Sequence, residues 1–294
     1  MSNGFYAAKI MAIENAFYLI EVHDHNRHVG TIARALGASN AGCAAAFCHD
    51  LGKIGNLEIP DRKPSNVRAY IDAYVDWLVK RAGLDKSLKD AAKKQRFALA
   101  LLRKGTQQER YNAIKAVLDP RDDRLQELVG LSISPFPRHA DGIPEVIQNR
   151  SVREYYLPKA KCPSELVDYA FELIRLHHSF QVDRIVEVAS HLEVQLARVS
   201  GQQFVRDLHT LISADNLASG LYERALAATD ASFSFGDPAQ ETFLLHDLEG
   251  KCTVRSRNKS ANNQLQVQVN LDWKAASGSQ GVDLDLVYYV VEVK

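Results

Sequence analysis

The sequence predicts a mainly helical protein with a small antiparallel β region at its C-terminal end. Amphipathic runs, in which apolar residues recur every three or four positions, fill most of residues 5–228. After Asp230 the period changes to two: residues 264–271 alternate strictly between polar and apolar, and residues 282–286 do the same before an apolar finish. We therefore expect a helical domain over residues 1–228 and a small β-rich region over residues 229–294.

The amphipathic runs predict helices over residues 5–22, 28–37, 39–51, 65–82, 86–103, 107–117, 122–130, 165–179, 181–199 and 202–228. Breaks near Pro60, Pro120 and Pro163 separate them, and a longer loop covers residues 135–144. A Ser- and Gly-rich stretch over residues 275–281 predicts the hairpin loop between the two C-terminal strands.

Composition is that of a soluble globular protein, with 46% hydrophobic and 24% charged residues. No stretch approaches the roughly 20 apolar residues that cross a bilayer, and residues 1–5 do not resemble a secretory leader. We expect a cytoplasmic protein without a membrane partner. The cysteines Cys43, Cys48, Cys162 and Cys252 form no C-x-x-C pair, which disfavours a zinc knuckle or a redox pair and agrees with a reducing compartment.

The formal net charge is zero, but the charge is unevenly distributed. Residues 80–104 contain nine basic and two acidic residues. Such a segment can follow a phosphate backbone, because non-specific affinity for polynucleotides is mainly electrostatic. A solvated helical face is the equally acceptable alternative.

The pair His49-Asp50 is the most informative motif in the chain. It ends a run of small residues, Cys-Ala-Ala-Ala-Phe-Cys over residues 43–48, and is followed by Leu-Gly-Lys over residues 51–53. A carboxylate has two oxygens and can bridge two cations, whereas an imidazole gives one directional bond. A helix-terminal histidine with a capping aspartate is the alternative, although a capping aspartate belongs at a helix start.

Further candidate ligands lie on apolar helix faces. Val29, Ile32, Ala33 and Leu36 form a helical ladder that places His25 one turn ahead on the same face, while His23 and His28 are interpreted as solvated or supporting. The pair His177-His178 ends another apolar face and serves either as a ligand pair or as core histidines. Asp215 falls on the inward face of its helix, where a carboxylate must be paired or metal-bound.

His139 lies in the proline-rich loop, where an ordinary surface histidine would be unremarkable. Its place in the order of the motifs selects it. This order, with His25, the His-Asp-Leu-Gly-Lys run from His49, a lone histidine, a His-His pair and the late Asp215, resembles the HD superfamily of metal-dependent phosphohydrolases. Because one histidine lies between the His-Asp and His-His doublets, the motif order is similar to that of the nuclease domains of CRISPR interference helicases. The resemblance covers residues 25–215 and implies an HD-type helical domain.

A second resemblance concerns the stretch Ser-Ala-Asp-Asn-Leu-Ala-Ser-Gly over residues 213–220, which is similar to large polymerase-like subunits of other CRISPR complexes. Those subunits carry their motifs in circularly permuted order, whereas here His25 precedes His49, which favours the helicase-type arrangement. The chain contains no G-x-x-x-x-G-K-[ST] motif. We therefore expect any unwinding to come from a separate helicase or CRISPR effector subunit.

The resemblance implies a metal-dependent nuclease that hydrolyses single-stranded nucleic acid, DNA in preference to RNA, in antiviral defence. It implies two divalent ions, one held by His25, His49, Asp50 and Asp215 and the other by Asp50, His139, His177 and His178. Asp50 would bridge the two, and Lys53 would hold a phosphate oxygen or assist the leaving group. Imidazole-rich ligation favours Mn, Fe, Co or Ni over Mg alone.

Two other functions stay open. The same residues would serve a phosphohydrolase of nucleotides or cyclic dinucleotides, because the site activates water and holds a phosphate whatever is attached to it. The chain could also be a non-catalytic subunit with a vestigial metal site. Metal content separates that third function from the two enzymatic ones.

Overall fold

The computed structural model describes residues 4–54, 66–118, 125–130, 139, 149–179, 181–196, 199–228, 232–235, 250–260, 262–275 and 278–293. Its α-helices are α1 (Val22–Ala35), α2 (Asn40–Ala46), α3 (Val67–Arg81), α4 (Ala91–Leu102), α5 (Gln107–Lys115), α6 (Leu125–Gly130), α7 (Asn149–Ser151), α8 (Leu157–Lys159), α9 (Val167–Leu176), α10 (Val182–Gln195) and α11 (Gly201–Ala227). A π-helical turn, Val152–Tyr156, joins α7 to α8. The protein is therefore rich in helix, as the amphipathic runs predict.

Within the part of the chain that the structure describes, six antiparallel strands form one sheet. They are β1 (Ala7–Ile13), β2 (Ala16–Glu21), β3 (Ser232–Phe235), β4 (Gly250–Lys259), β5 (Gln264–Ala275) and β6 (Gly278–Glu292). Their order across the sheet is β1-β2-β6-β5-β4-β3, so strands from both ends of the chain lie side by side. The two strands predicted by alternation correspond to β5 and β6. The proposed domain boundary after residue 228 follows the end of α11 and stays a prediction.

The helix predicted over residues 5–22 is wrong. Residues 7–21 form the β1–β2 hairpin instead, and Glu14, with a φ of 53°, makes the turn. Strand β2 is buried on both faces: Phe17 and Leu19 enter one core, and Ile20 enters another. A strand buried on both faces has no alternation of polar and apolar residues, which is why its apolar run can be mistaken for a buried helix.

The sheet separates two hydrophobic cores. The larger core lies between one face of the sheet and helices α1, α2, α9, α10 and α11. The smaller core lies on the other face, where α3, α4 and α5 cover β1, β2 and the end of β6. Helices α3, α4 and α5, which lie between Asp50 and His139 in the sequence, thus pack across the sheet from the larger core. Asp207 supports the larger core by accepting hydrogen bonds from Ser39 and Tyr169.

Most helices begin where a polar side chain satisfies the free N–H groups of the first turn. Ser39, Asn66, Asp90 and Ser200 each accept a backbone hydrogen bond at the start of α2, α3, α4 and α11. Thr106 and Glu109 form a reciprocal capping box at α5. Among the residues that the structure describes, no helix combines the length and the apolar character that crossing a membrane requires.

Candidate metal centre

Four helices of the larger core carry six of the seven predicted ligands to one place. His139, which belongs to none of these helices, lies beside them. His25 lies in α1, the pair His49-Asp50 follows α2, the pair His177-His178 follows α9, and Asp215 lies in α11. Residues 190 positions apart in sequence are thus brought into contact, as between His25 and Asp215. The remainder of the loop predicted over residues 135–144 lies outside the described residues.

Helix α2 positions the His-Asp pair because it consists of small residues. It contains one glycine and four alanines among its seven residues and is almost entirely buried. Without bulky side chains it packs closely against α1, α9 and α11. The helix ends at Ala46, and the following turn presents His49 and Asp50 with side chains that are 0% exposed.

The first group of ligand atoms consists of His25, His49 and Asp215. Nε2 of His25 lies 3.0 Å from Oδ1 of Asp215, and Nε2 of His49 lies 3.7 Å from the same oxygen. The three ligand atoms lie within 4.8 Å of one another, close enough for one metal ion to contact all three.

The second group consists of His139, His177 and His178. Nε2 of His139 lies 3.2 Å from Nε2 of His177 and 2.8 Å from Nε2 of His178. His139 and His177 are buried, whereas His178 is exposed and marks the open side of the centre. This group also meets the distance requirement for a single ion.

Asp50 lies between the two groups and directs one oxygen toward each. Its Oδ2 is 3.2 Å from Nε2 of His25, and its Oδ1 is 3.0 Å from Nε2 of His139 and 3.9 Å from Nε2 of His177. This is the arrangement that a carboxylate bridging two cations requires.

The outer nitrogens of two histidines fix which atom faces the centre. Nδ1 of His49 donates to the carbonyl oxygen of Ala46 at 2.9 Å, and Nδ1 of His177 donates to that of Ile174 at 2.6 Å. A carbonyl can only accept, so Nδ1 carries a proton in both rings, and Nε2 is the nitrogen that faces the centre and presents a lone pair whenever the ring is neutral. Metal-binding histidines are typically oriented in this way.

Two buried polar atoms without hydrogen-bond partners in the described part of the chain also indicate that the donor set fits a divalent cation. Among the described residues, Nε2 of His49 and Oδ1 of Asp50 are buried side-chain atoms without a hydrogen-bond partner. Buried polar atoms are rarely left unsatisfied, and both of these face the other ligands. Imidazole nitrogens with carboxylate oxygens suit Mn, Fe, Co, Ni or Zn, and the buried groups can hold a metal ion, although the donor set does not identify which.

The two carboxylates are also in the ionised state that metal binding requires. Burial alone would raise the pKa of Asp50, but the charges of Lys53 and His49 outweigh it and hold the pKa well below its usual range. Burial also acts to raise the pKa of the Asp215 carboxyl, but the imidazoles of His25 and His49 beside it outweigh burial and hold that pKa well below its usual range. Both carboxylates are therefore ionised at neutral pH, as ligands must be.

The imidazoles divide into two classes. Burial lowers the pKa of His177 well below its usual range, and neighbouring histidines lower it further. Burial and His139 lower the pKa of His178 to about 4. At His49 the carboxylates of Asp50 and Asp215 outweigh burial and raise the pKa.

Lys53 is the cation closest to the central carboxylate. It ends a 3₁₀ turn, Leu51–Lys53, and its Nζ lies 2.5 Å from Oδ2 of Asp50 and 3.3 Å from the carbonyl oxygen of Ala8. Its side chain is 12% exposed, so the ammonium is held at the edge of the centre rather than in bulk solvent.

Sequence reasoning missed two residues that support the ligands, Asn26 and Tyr222, and it interpreted a third, His28, as solvated or supporting. Asn26 accepts the backbone N–H of Asp50 at 3.2 Å, and the hydroxyl of Tyr222 lies 2.9 Å from Nδ1 of both His25 and His28. The signal for His28 was its position one turn after His25. Tyr222 lies seven residues after Asp215, two turns along the same face of α11.

Several residues lie apart from the centre. His23, which the sequence interprets as solvated or supporting, is exposed, and so are His191 and His209. His246 lies outside the described residues. All four cysteines are buried free thiols.

Comparisons with protein-family models, with curated proteins and with solved structures give no match. The arrangement of the candidate ligands is therefore the main support for a functional assignment.

Proposed function

We propose that this protein is a metal-dependent phosphodiesterase of the HD type that hydrolyses single-stranded nucleic acid. One observation carries the proposal: six of the predicted side chains surround the seventh, the buried carboxylate of Asp50, which faces two ligand groups. Structural histidines do not need to meet at their Nε2 atoms around an aspartate.

Each residue has a chemical role in this proposal. His25, His49 and Asp215 would hold one divalent ion, and His139, His177 and His178 would hold the other, with Asp50 available to both. When bound, such ions acidify a water molecule and neutralise the charge that develops on a phosphate. Lys53 adds a positive charge beside Asp50, where it can hold a phosphate oxygen.

A polynucleotide substrate is supported by a row of groups that leads away from the centre. Asp215, Ser219 and Glu223 succeed one another at intervals of four along α11, about 6 Å per step. Nζ of Lys9 donates to the carbonyl oxygen of Ser219 at 2.8 Å and lies 3.5 Å from Glu223, to which Lys104 is also paired. Basic groups thus lie one and two helical turns from a candidate ligand, along a path that a strand of phosphates can follow.

The basic segment predicted as substrate-facing reaches the centre only at its end. Lys104 follows α4, whose body covers the opposite face of the sheet near β1. Lys93 and Arg96 are exposed in the first half of that helix, farther from Glu223. We therefore propose that the nucleic acid contacts Lys9 and Lys104 in preference to Lys93, Lys94 and Arg96. A role in CRISPR interference, DNA as the preferred strand and a separate helicase partner belong to the same proposal and rest on the motif order.

The proposal is tested with a substrate panel and a set of metal ions. Purified protein is incubated with labelled single-stranded DNA, single-stranded RNA, duplex DNA, mononucleotides and cyclic dinucleotides, each with Mn, Fe, Co, Ni or Mg. We expect cleavage of the single strands and about two metal ions per chain. Asp50→Ala should reduce cleavage to background and lower the metal content, because both ligand groups lose their shared carboxylate.

Asp207→Asn is the matched control, because Asp207 is a second buried aspartate of the larger core that hydrogen-bonds to Ser39 and Tyr169 away from the ligands. It should keep metal content and cleavage per folded molecule. If the protein hydrolyses only mononucleotides or cyclic dinucleotides, it is a nucleotide phosphohydrolase and the proposed nuclease activity is wrong. Protein that takes up no metal after reconstitution would contradict both enzymatic functions.

A further inference from the structure

The C-terminal sheet contacts the candidate metal centre through a chain of three hydrogen bonds. Nε2 of His28 lies 2.9 Å from the carbonyl oxygen of Asp285 in β6, and Nδ1 of His28 lies 2.9 Å from the hydroxyl of Tyr222. The same hydroxyl lies 2.9 Å from Nδ1 of His25. His25, His28 and Tyr222 are all buried, so no solvent competes for these bonds.

The donors and acceptors along this chain can be assigned from its sheet end. The Asp285 carbonyl can only accept, so Nε2 of His28 carries a proton. Burial lowers the pKa of His28 to about 3, so the ring is neutral and its Nδ1 accepts. The single hydroxyl proton of Tyr222 then points to His28, and the tyrosine oxygen accepts from Nδ1 of His25.

The other ring nitrogen of His25 faces the candidate centre. With Nδ1 protonated, Nε2 is the ring atom of His25 left to bind a metal ion. That atom lies 3.0 Å from Asp215 and 3.2 Å from Asp50, where the first group of ligand atoms meets. His49 and His177 obtain the same tautomer from helix carbonyls, whereas His25 obtains it from a side chain held by the sheet.

We propose that His28 and Tyr222 are positioning residues that fix His25 in the metal-binding tautomer, and that strand β6 anchors them through the Asp285 carbonyl. This inference rests on the proposed metal centre and extends it, because it gives the C-terminal sheet a part in building that centre. It does not depend on which phosphate ester is the substrate.

Titration calorimetry with Mn²⁺ alone tests the inference on the full chain. Tyr222→Phe removes the acceptor of His25, and we expect the affinity of one of the two sites to fall about 10- to 100-fold, as for other partners of metal-binding histidines. His28→Leu should weaken the same site, because the freed hydroxyl of Tyr222 can turn toward His25 and force the proton onto Nε2. The second variant keeps the test valid if the first does not fold.

Tyr288→Phe is the matched control. Tyr288 is also buried, its ring packs against Tyr222, and its hydroxyl donates to the backbone carbonyl of Tyr222 at 3.0 Å rather than to His25. It should leave both Mn²⁺ affinities within about twofold of wild type. In a His25→Ala background, Tyr222→Phe should have no further effect on metal affinity.

Unchanged Mn²⁺ affinities in both Tyr222→Phe and His28→Leu would overturn the inference. So would an undiminished effect of Tyr222→Phe in the His25→Ala background. If wild-type protein binds two Mn²⁺ ions but cleaves no nucleic acid, the proposed activity fails while the positioning role stands on its own measurement. If wild-type protein binds no Mn²⁺, the inference fails together with the metal centre.

Discussion

At the residue scale, Asp50 determines the character of the candidate centre. Its carboxylate is 0% exposed, and burying an unpaired charge is costly. Lys53 compensates part of that charge in the absence of metal, and the histidines around it supply the remaining contacts. A residue that pairs with a metal ligand and also carries positive charge can oppose metal binding while it assists a phosphate substrate.

Replacing Lys53 with glutamine separates these two effects. Lys53→Gln removes a cation 2.5 Å from Asp50, so we expect the affinity for divalent metal to stay unchanged or to rise. Turnover of a phosphodiester at saturating metal should fall about 100-fold, the loss typical of one electrostatic stabiliser. Metal titrations and single-turnover cleavage measure the two quantities separately. A parallel fall in metal affinity and turnover would show that Lys53 only maintains the structure of the site.

Six of the seven candidate ligands were predictable because they stand on a helix or directly after one and have a local signature, whereas motif order alone selected His139. His25 precedes an apolar ladder, and Asp215 lies on an inward helix face that carries Leu211 and Ile212. Tyr222 and His28 were not predictable as a pair, since their connection depends on the packing of α1 and α11 against β6. Periodicity shows which face of a helix is buried but not what that face meets.

At the element scale, sequence patterns predicted helices better than strands. Helices α3, α5 and α11 match their amphipathic runs closely and begin at capping residues. Strands β1 and β2 were mistaken for a helix because the sheet carries a core on each face, which removes the alternation on which strand prediction depends. Strand β5 shows alternation because its outer face remains polar, where Gln268 and Asn270 pair with aspartates of β6.

We expect lysines at the two ends of α4 to contribute unequally to nucleic-acid binding. Lys104 is paired with Glu223 two turns from Asp215, whereas Lys93 is exposed near the opposite end of α4. Lys104→Gln should therefore weaken binding of single-stranded DNA more than Lys93→Gln, although both remove one charge. Removing one lysine–phosphate ion pair should reduce the slope of log affinity against log salt by about 0.7. Binding by fluorescence anisotropy at several salt concentrations measures the slopes, and equal effects of both variants would contradict the proposed path.

At the scale of the whole molecule, one sheet contains strands from the N-terminal and the C-terminal parts of the chain, and helices pack on both of its faces. Strand β6 lies between β2 and β5, so the first and last described strands of the chain share one hydrogen-bonded layer. Helix α1 begins at Val22, directly after β2, and carries both His25 and His28. The centre is therefore framed by elements that only the completed fold brings together.

This design predicts that the metal-free protein loses stability as the pH falls below neutral. Burial lowers the pKa of His28 from 6.5 to about 3 and that of His177 well below 6.5. Between those limits the unfolded chain binds protons that the folded protein refuses, so the free energy of unfolding decreases as the pH falls. Each such histidine contributes at most about 1.4 kcal/mol per pH unit. His49, whose pKa is raised in the folded protein, acts in the opposite direction and offsets one of them.

Urea unfolding in the presence of a chelator, at several pH values from 7 to 4.5, measures this dependence. The range stays above the usual pKa of aspartate, so that Asp50 and Asp215, whose lowered values stabilise the fold above about pH 4, add little to the slope. His28→Leu should flatten the curve by up to about 1.4 kcal/mol per pH unit, because it removes one buried neutral imidazole from the folded state and one ordinary imidazole from the unfolded chain. His191→Leu is the control, because it makes the same replacement at an exposed histidine. Identical slopes in wild type and His28→Leu would mean that His28 is protonated in the fold, and the hydrogen-bond direction assigned from β6 to His25 would then have to be reversed.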